Sequence, residues 1–261
     1  MRWWVVALLA ANFASADSLY LDESFPDSTR PTLQALADNV WDVVQEMFHS
    51  SPPLDLPIHC RESNAEVPLT RVKQDEISIR ITAHGTHYAQ FAFQLGHELG
   101  HVMLDPRRSN GMVEAICIAV SYEVLDRIGD KVRSSPAFTW LGDYAPDFQP
   151  YRRNDEKSVL EKLPVDVRAM VEQRNWSGIA DYLREHQREM EPGQPNERSL
   201  QSLAAIALRS APVDWGAMTG IAGCTTPSPS TEPGFKILPL DANCVARIPE
   251  IFCRIGRGCQ P

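Results

Sequence analysis

The chain has 261 residues, 43% of them hydrophobic, and a formal net charge of -9 at neutral pH. This length is ample for one sizeable core. The acidic balance argues against nucleic acid and against anionic membrane surfaces as partners, since both would repel it.

The amino terminus supplies a compartment. Arg2 gives a positive start, Trp3 to Ala11 is almost wholly apolar, and Ala14-Ser15-Ala16 forms a small-x-small cleavage site, the pattern of a secretory signal peptide. The apolar run falls short of the about 20 residues that a spanning helix needs. Cleavage after Ala16 is expected, giving a secreted or periplasmic protein with no membrane attachment afterwards; an uncleaved anchor or a short buried helix is the alternative.

Residues 17 to 30 are polar and expected to be loose. Pro31 then opens a helix, with Ser28 or Thr29 as caps, and Leu33, Leu36, Ala37, Val40, Trp41, Val44, Met47 and Phe48 form its apolar face. Ser51-Pro52-Pro53 ends it. Short strands are predicted near 54 to 61, 66 to 72 and 76 to 82, the last from the period-two alternation of Glu76 to Thr82. As the last strand before the following motif, it is expected to pair with an extended substrate. A turn at His84-Gly85-Thr86 follows.

From Tyr88 to Leu104 the apolar positions take helical period, and this helix carries His97-Glu98-Leu99-Gly100-His101. Residues four apart share a helical face, so His97 and His101 can bind one tetrahedral zinc ion. Glu98 then lies beside the metal without binding it, placed to take a proton from water and later deliver one to a leaving amine. Gln90, Phe93, Gln94, His97, His101 and Leu104 share one stripe, which suggests room for a substrate there. Gly96 and Gly100 each cost a helix about 1 kcal/mol against alanine, so they predict that another helix packs very closely at that point.

Two histidines need a third ligand. Leu104 and Arg107 stand where the extended metzincin signature requires Gly and His. Asp105 precedes Pro106, which disfavours helical geometry at the residue before it, so Asp105 is expected to end the helix. A second apolar run begins near Met112, and Glu114 is the lone charge in its first two turns. A carboxylate in such a stretch is costly unless paired or metal-bound; the alternative is that it complements the helix N-terminus.

Gln94 to Val102, followed by Glu114-Ala115-Ile116-Cys117 and Ser121, resembles the gluzincins, and more narrowly their compact minigluzincin-like members. The resemblance covers residues 30 to 130 and, more loosely, the helices to about 220. It implies His97, His101 and Glu114 as ligands of one Zn2+ ion, Glu98 as catalytic base, and a minimal zincin-like α+β domain. It also implies a zinc-dependent peptide hydrolase (a metallopeptidase) acting on peptide or protein substrates.

After Gly129 a loop rich in Pro, Asp and aromatic residues is predicted to about 155, then helices near 155 to 163, 164 to 174, 176 to 190 and 197 to 209, with a shorter run around Trp215. The expected organisation is a signal peptide (1–16), a catalytic core (17–130), a helical extension of the same domain (131–223) and a Cys-rich tail containing Pro, Ser and Thr (224–261). Cys224, Cys244, Cys253 and Cys259 are expected to form two bridges within that tail. Cys60 and Cys117 remain, either bridged, which is the expectation, or as two buried thiols. His84 and His87 lie close enough to reach a cleft, Tyr88, Tyr122 and Tyr144 are candidate oxyanion donors that more simply read as structural, and Ser121 either lines the pocket or permits close packing. Asn175-Trp176-Ser177 is a glycosylation sequon. The competing function is an exported, non-catalytic binding protein on a zincin scaffold; the intact non-ligand Glu98 favours the enzyme.

Overall fold

The computed structural model describes residues 19–134, 139–226, 236–237 and 250–255; the predicted signal segment lies outside them. Within these residues the fold is helix-dominated, with a small four-stranded mixed sheet in the order β1-β2-β4-β3. Strands β1 (Leu19–Leu21), β2 (Ile58–Glu62) and β4 (Ile77–Ile81) run parallel, and β3 (Leu69–Val72) closes one edge antiparallel to β4. Helix α1 (Arg30–Phe48) buries the whole predicted apolar face, which packs with Ile58, Cys60, Ile77, Ile79 and Ile81 of the sheet in one core.

Strand β1 departs from the loose segment expected before residue 30. Leu19 and Leu21 are buried, and the Gln34 side chain on α1 clamps them, accepting from the Leu21 amide and donating to the Leu19 carbonyl, both at 2.9 Å. Two leucines at period two, with a helical amide satisfying their open edge, suffice to order a strand too short to be evident in the sequence.

Helices α2 (Tyr88–Leu104) and α3 (Gly111–Ser134) pack against each other and against α1. The paired glycines explain how close they come. A Cβ on Gly96 would lie 3.3 Å from the Ser121 Cα, and one on Gly100 would lie 3.1 Å from both the Cα and Sγ of Cys117. Ser121 therefore has a packing role: it is fully buried, its hydroxyl donating to the Cys117 carbonyl at 3.0 Å.

The loop expected after Gly129 is also corrected. Helix α3 continues to Ser134, residues Thr139–Asp147 form a 3-10 helix, and α4 (Phe148–Leu160) follows directly. Leu141, Ala145 and Phe148 are buried; their packing outweighs the local helix-breaking tendency of Pro146. Helices α5 (Val165–Glu172), α6 (Trp176–Glu185) and α7 (Glu197–Leu208) lie near their predicted positions. Arg152 and Arg209 bridge Asp126 and Glu156, tying α4 and the end of α7 to α3. Asn175 of the sequon is exposed and caps α6, accepting from the Gly178 amide at 3.0 Å.

Short helices α8 (Trp215–Met218) and α9 (Ile221–Cys224) precede a two-stranded ladder of β5 (Thr225–Thr226) and β6 (Lys236–Ile237), and α10 (Glu250–Ile255) packs on α6. Cys224 is disulfide-bonded; the rest of the pairing expected in the tail falls on side chains outside the described set. The expected Cys60–Cys117 bridge is absent. Both are free and buried, Cys60 on β2 and Cys117 on α3; Cys60 fills core space as a small apolar residue, while the Cys117 thiol meets His101.

Candidate metal centre

Three ligand atoms converge where α2 meets the start of α3. His97 Nε2 lies 3.2 Å from Glu114 Oε2, His101 Nε2 lies 3.3 Å from His97 Nε2, and His101 Nε2 lies 3.5 Å from Glu114 Oε2. A tetrahedral ion about 2.0 to 2.1 Å from each ligand would set them about 3.3 Å apart. The triangle has that size before any ion is considered. Among the described residues it is the one His, Cys, Asp or Glu grouping with metal-ligand spacing.

Each side chain is placed by a separate local device. Helical spacing puts His97 and His101 on one face. Gln94, a turn earlier, is buried and does not line the metal pocket. Its Oε1 accepts from the Thr82 and Ala83 amides at 2.9 Å each, and its Nε2 donates to the Thr82 hydroxyl at 2.8 Å, fixing α2 against the end of β4. Phe93 is likewise committed, stacked near Tyr122 and Tyr151 with the Arg198 guanidinium 5.3 Å over its ring. The open substrate stripe expected along this face is therefore closed at Phe93 and Gln94.

Glu114 is set by the start of α3. The buried Asn110 side chain caps the helix, accepting from the Met112 and Val113 amides at 3.0 Å each. Gly111 lets the Met190 backbone approach, since a Cβ there would sit 2.7 Å from the Met190 carbonyl oxygen. The Ser109 hydroxyl donates to Glu114 Oε1, leaving Oε2 to face the imidazoles.

Burial alone would raise the Glu114 carboxyl, but His101 and His97 outweigh it and hold it far below the usual carboxylate range. Burial likewise disfavours the His101 cation, and the neighbouring Cys117 and Glu114 more than offset this, raising it well above 6.5. Because burial pushes the Cys117 thiol up to about 11, it is neutral near pH 7, and Glu114 is the charge that keeps a proton on His101. In the metal-free chain this ion pair stabilises fully between about pH 4.5 and 6.5, the unfolded values of the two groups. Its Glu114 part is lost as pH falls through the depressed carboxyl value, and its His101 part as pH rises through the raised imidazole value. A cation must displace that proton, so zinc affinity should fall about tenfold for each pH unit below the His101 value for each proton displaced. Competitive zinc titration from pH 6 to 8 tests this; a pH-independent affinity would show that His101 carries no proton for zinc to displace in that range.

Glu98 lines the same pocket and is 3% exposed. Its Oε2 accepts from the Thr70 hydroxyl on β3 at 2.6 Å. Thr70 and Ser109 were not singled out by the sequence, and each holds one carboxylate oxygen of the site. The pocket has a volume of about 290 Å³ between two walls, Pro68, Leu69 and Thr70 on one side and Pro106 to Ser109 on the other. Strand β4 lies inside the sheet between β2 and β3, so the pairing with substrate expected of it is not available. The edge beside the pocket belongs to β3.

The other candidates fall elsewhere. Asp105 ends α2 as expected, its carboxylate engaging the Arg107 guanidinium through two contacts of 2.8 Å. It has φ of 108°, a conformation whose strain of about 1 to 3 kcal/mol must be held in place by its surroundings. His84 bonds Glu62 at 2.9 Å, His87 is the residue before α2, and neither lines the pocket. Tyr122 donates to Asp155 at 2.7 Å and Tyr88 stacks edge-on with Tyr144, so none of the three tyrosines lines the pocket either. No family model, no curated protein and no solved structure matches the chain.

Proposed function

We propose that this chain is an exported zinc-dependent peptide hydrolase of gluzincin type, with His97, His101 and Glu114 as ligands and Glu98 as the general base. The observation that carries the reading is the 3.2 to 3.5 Å triangle of two imidazole nitrogens and a carboxylate oxygen with a second, non-ligating carboxylate in the same pocket. Two neutral nitrogens and one anionic oxygen suit zinc, and three protein ligands leave a position open for chemistry. When bound, zinc supplies Lewis acidity, polarising a carbonyl and making water more acidic.

The chain's own groups do the rest. Glu98 takes a proton from the attacking water and returns it to the leaving amine nitrogen, so the peptide C–N bond breaks without release of an unstable amide anion. Thr70 is a positioning residue: its hydroxyl holds one Glu98 oxygen and leaves the other for the proton. The free edge of β3 offers backbone groups to an extended peptide beside the metal. Among the described residues no helix is long and apolar enough to cross a membrane.

Thr70→Val preserves shape and removes the hydroxyl. It should lower the hydrolysis rate by about 10 to 100-fold, as loss of a supporting partner typically does, with zinc content unchanged; kcat and metal content measured together decide it, and an unaltered kcat would remove Thr70 from the mechanism. The reading as a whole is tested by digesting a broad peptide library with the zinc-loaded chain and identifying new termini by mass spectrometry. Zinc-dependent cleavage is expected, and identical digests with and without a chelator would overturn it.

A further inference from the structure

A second cleft opens at the N-terminal end of α2, where the 3-10 helix meets α4. It has a volume of about 190 Å³ and is lined by four aromatic rings, Tyr88, Tyr144, Phe148 and Tyr151. Tyr88 and Phe148 are buried and form its base, whereas Tyr144 is 37% exposed. The Tyr88 and Tyr144 rings meet edge to face, their centroids 4.8 Å apart and their planes at 81°. Trp140 backs both at 6.3 and 6.4 Å, so packing fixes these rings before any ligand arrives. The lining also holds one carboxylate, Asp147, and neither lysine nor arginine. Asp147 stands just before α4, yet its side chain does not cap that helix, and it makes no ion pair among the described residues. Its charge faces a ring-lined cleft with no cation of the chain's own to meet it.

We propose that this cleft binds an alkylated ammonium cation, with a trimethylammonium group as the best fit. Aromatic rings attract cations through their electron-rich faces, and a carboxylate at the rim adds the matching charge. A bare ammonium is strongly hydrated and needs hydrogen-bond partners that rings do not supply; a quaternary one carries methyl groups whose burial against the rings is itself favourable. The volume lies below the about 300 Å³ at which pockets for drug-sized ligands begin, so the cleft takes one head group rather than a large molecule. None of its lining residues lines the metal cleft, and the inference stands apart from the hydrolase reading. The group has two sources, a free quaternary amine or a trimethylated lysine on a peptide.

The test is a titration of the full-length chain with choline and with 3,3-dimethylbutan-1-ol, its uncharged isostere, followed through backbone amide shifts near pH 7. Choline should bind about tenfold more tightly, with shifts concentrated at residues 86 to 90 and 144 to 151. Asp147→Asn should lower choline affinity by up to about fivefold, the upper range for an exposed charge pair, and leave the isostere unaffected. Tyr144→Leu should remove most of the preference for the cation. Both positions are exposed, so the fold should persist in both variants, as circular dichroism checks. Decapeptides carrying lysine or trimethyl-lysine identify the source: binding of the trimethylated peptide at least as tight as that of choline marks a peptide-borne group, and weaker binding marks a free amine. Equal affinity for choline and its isostere, shifts confined to other parts of the chain, or choline binding unchanged in both variants would overturn the site. So would tighter binding of methyl β-glucoside than of choline, which would make the rings a stacking platform for a neutral sugar.

Discussion

Replacing Glu98 by glutamine should lower peptide hydrolysis by about a thousandfold, within the 10²- to 10⁴-fold range of a positioned general base, while zinc content stays at the wild-type level. The reason lies in how the site divides its carboxylates. Glu114 Oε2 faces both imidazoles at 3.2 and 3.5 Å. Glu98 instead turns to the Thr70 hydroxyl. Glutamine keeps the volume of Glu98 and can still accept from Thr70, so neither packing nor the ligand triangle should change; the proton acceptor alone is lost. The measurement is kcat on one cleaved peptide with metal quantified in the same sample. Cleavage at the wild-type rate would show that Glu98 is not the base, and loss of zinc would show that it is a ligand.

The second large effect separates two carboxylates close in sequence. Glu114→Ala should weaken zinc binding by more than about a hundredfold, since even removing a partner that merely supports a ligand costs up to that much. Two imidazoles and solvent would be all that remained. Asp105 is the informative control because it lies one helical turn beyond His101, yet its side chain is spent on Arg107. Asparagine is the proper replacement, since it tolerates the positive φ of 108° better than alanine would. Asp105→Asn should leave zinc affinity essentially unchanged. Titration against a competing chelator reads both variants, and metal loss in Asp105→Asn alone would reverse the assignment of the third ligand.

Much of the candidate site was legible because its ligands obey local rules. The i, i+4 spacing of His97 and His101, the lone charge of Glu114 in an apolar helix, and the glycines at 96 and 100 each encode a contact in one or two turns of sequence. The breaking effect of Pro106 on Asp105 was legible for the same reason. What was missed depends on distant partners. Thr70 meets Glu98 across 28 positions, and a threonine in an edge strand has no signature that distinguishes this use from any other. The strand expected to pair with substrate lies inside the sheet, because periodicity reveals a strand but not its neighbours, and β3 lies outside β4. Gln94 shares the histidine stripe on the helical wheel, but its amide is consumed by backbone groups at the end of β4. The Cys60–Cys117 bridge failed similarly, for a cysteine count does not say which thiols the fold brings within bonding distance.

The central claim, that one zinc ion held by His97, His101 and Glu114 makes this chain a hydrolase, is tested most directly by titrating metal-stripped, full-length protein with zinc while following cleavage of one peptide. The rate should rise in proportion to added zinc and level off at one equivalent per chain, with the Glu98→Gln chain taking up the same equivalent and remaining inactive. A rate independent of zinc, or no cleavage after one equivalent has bound, would contradict it.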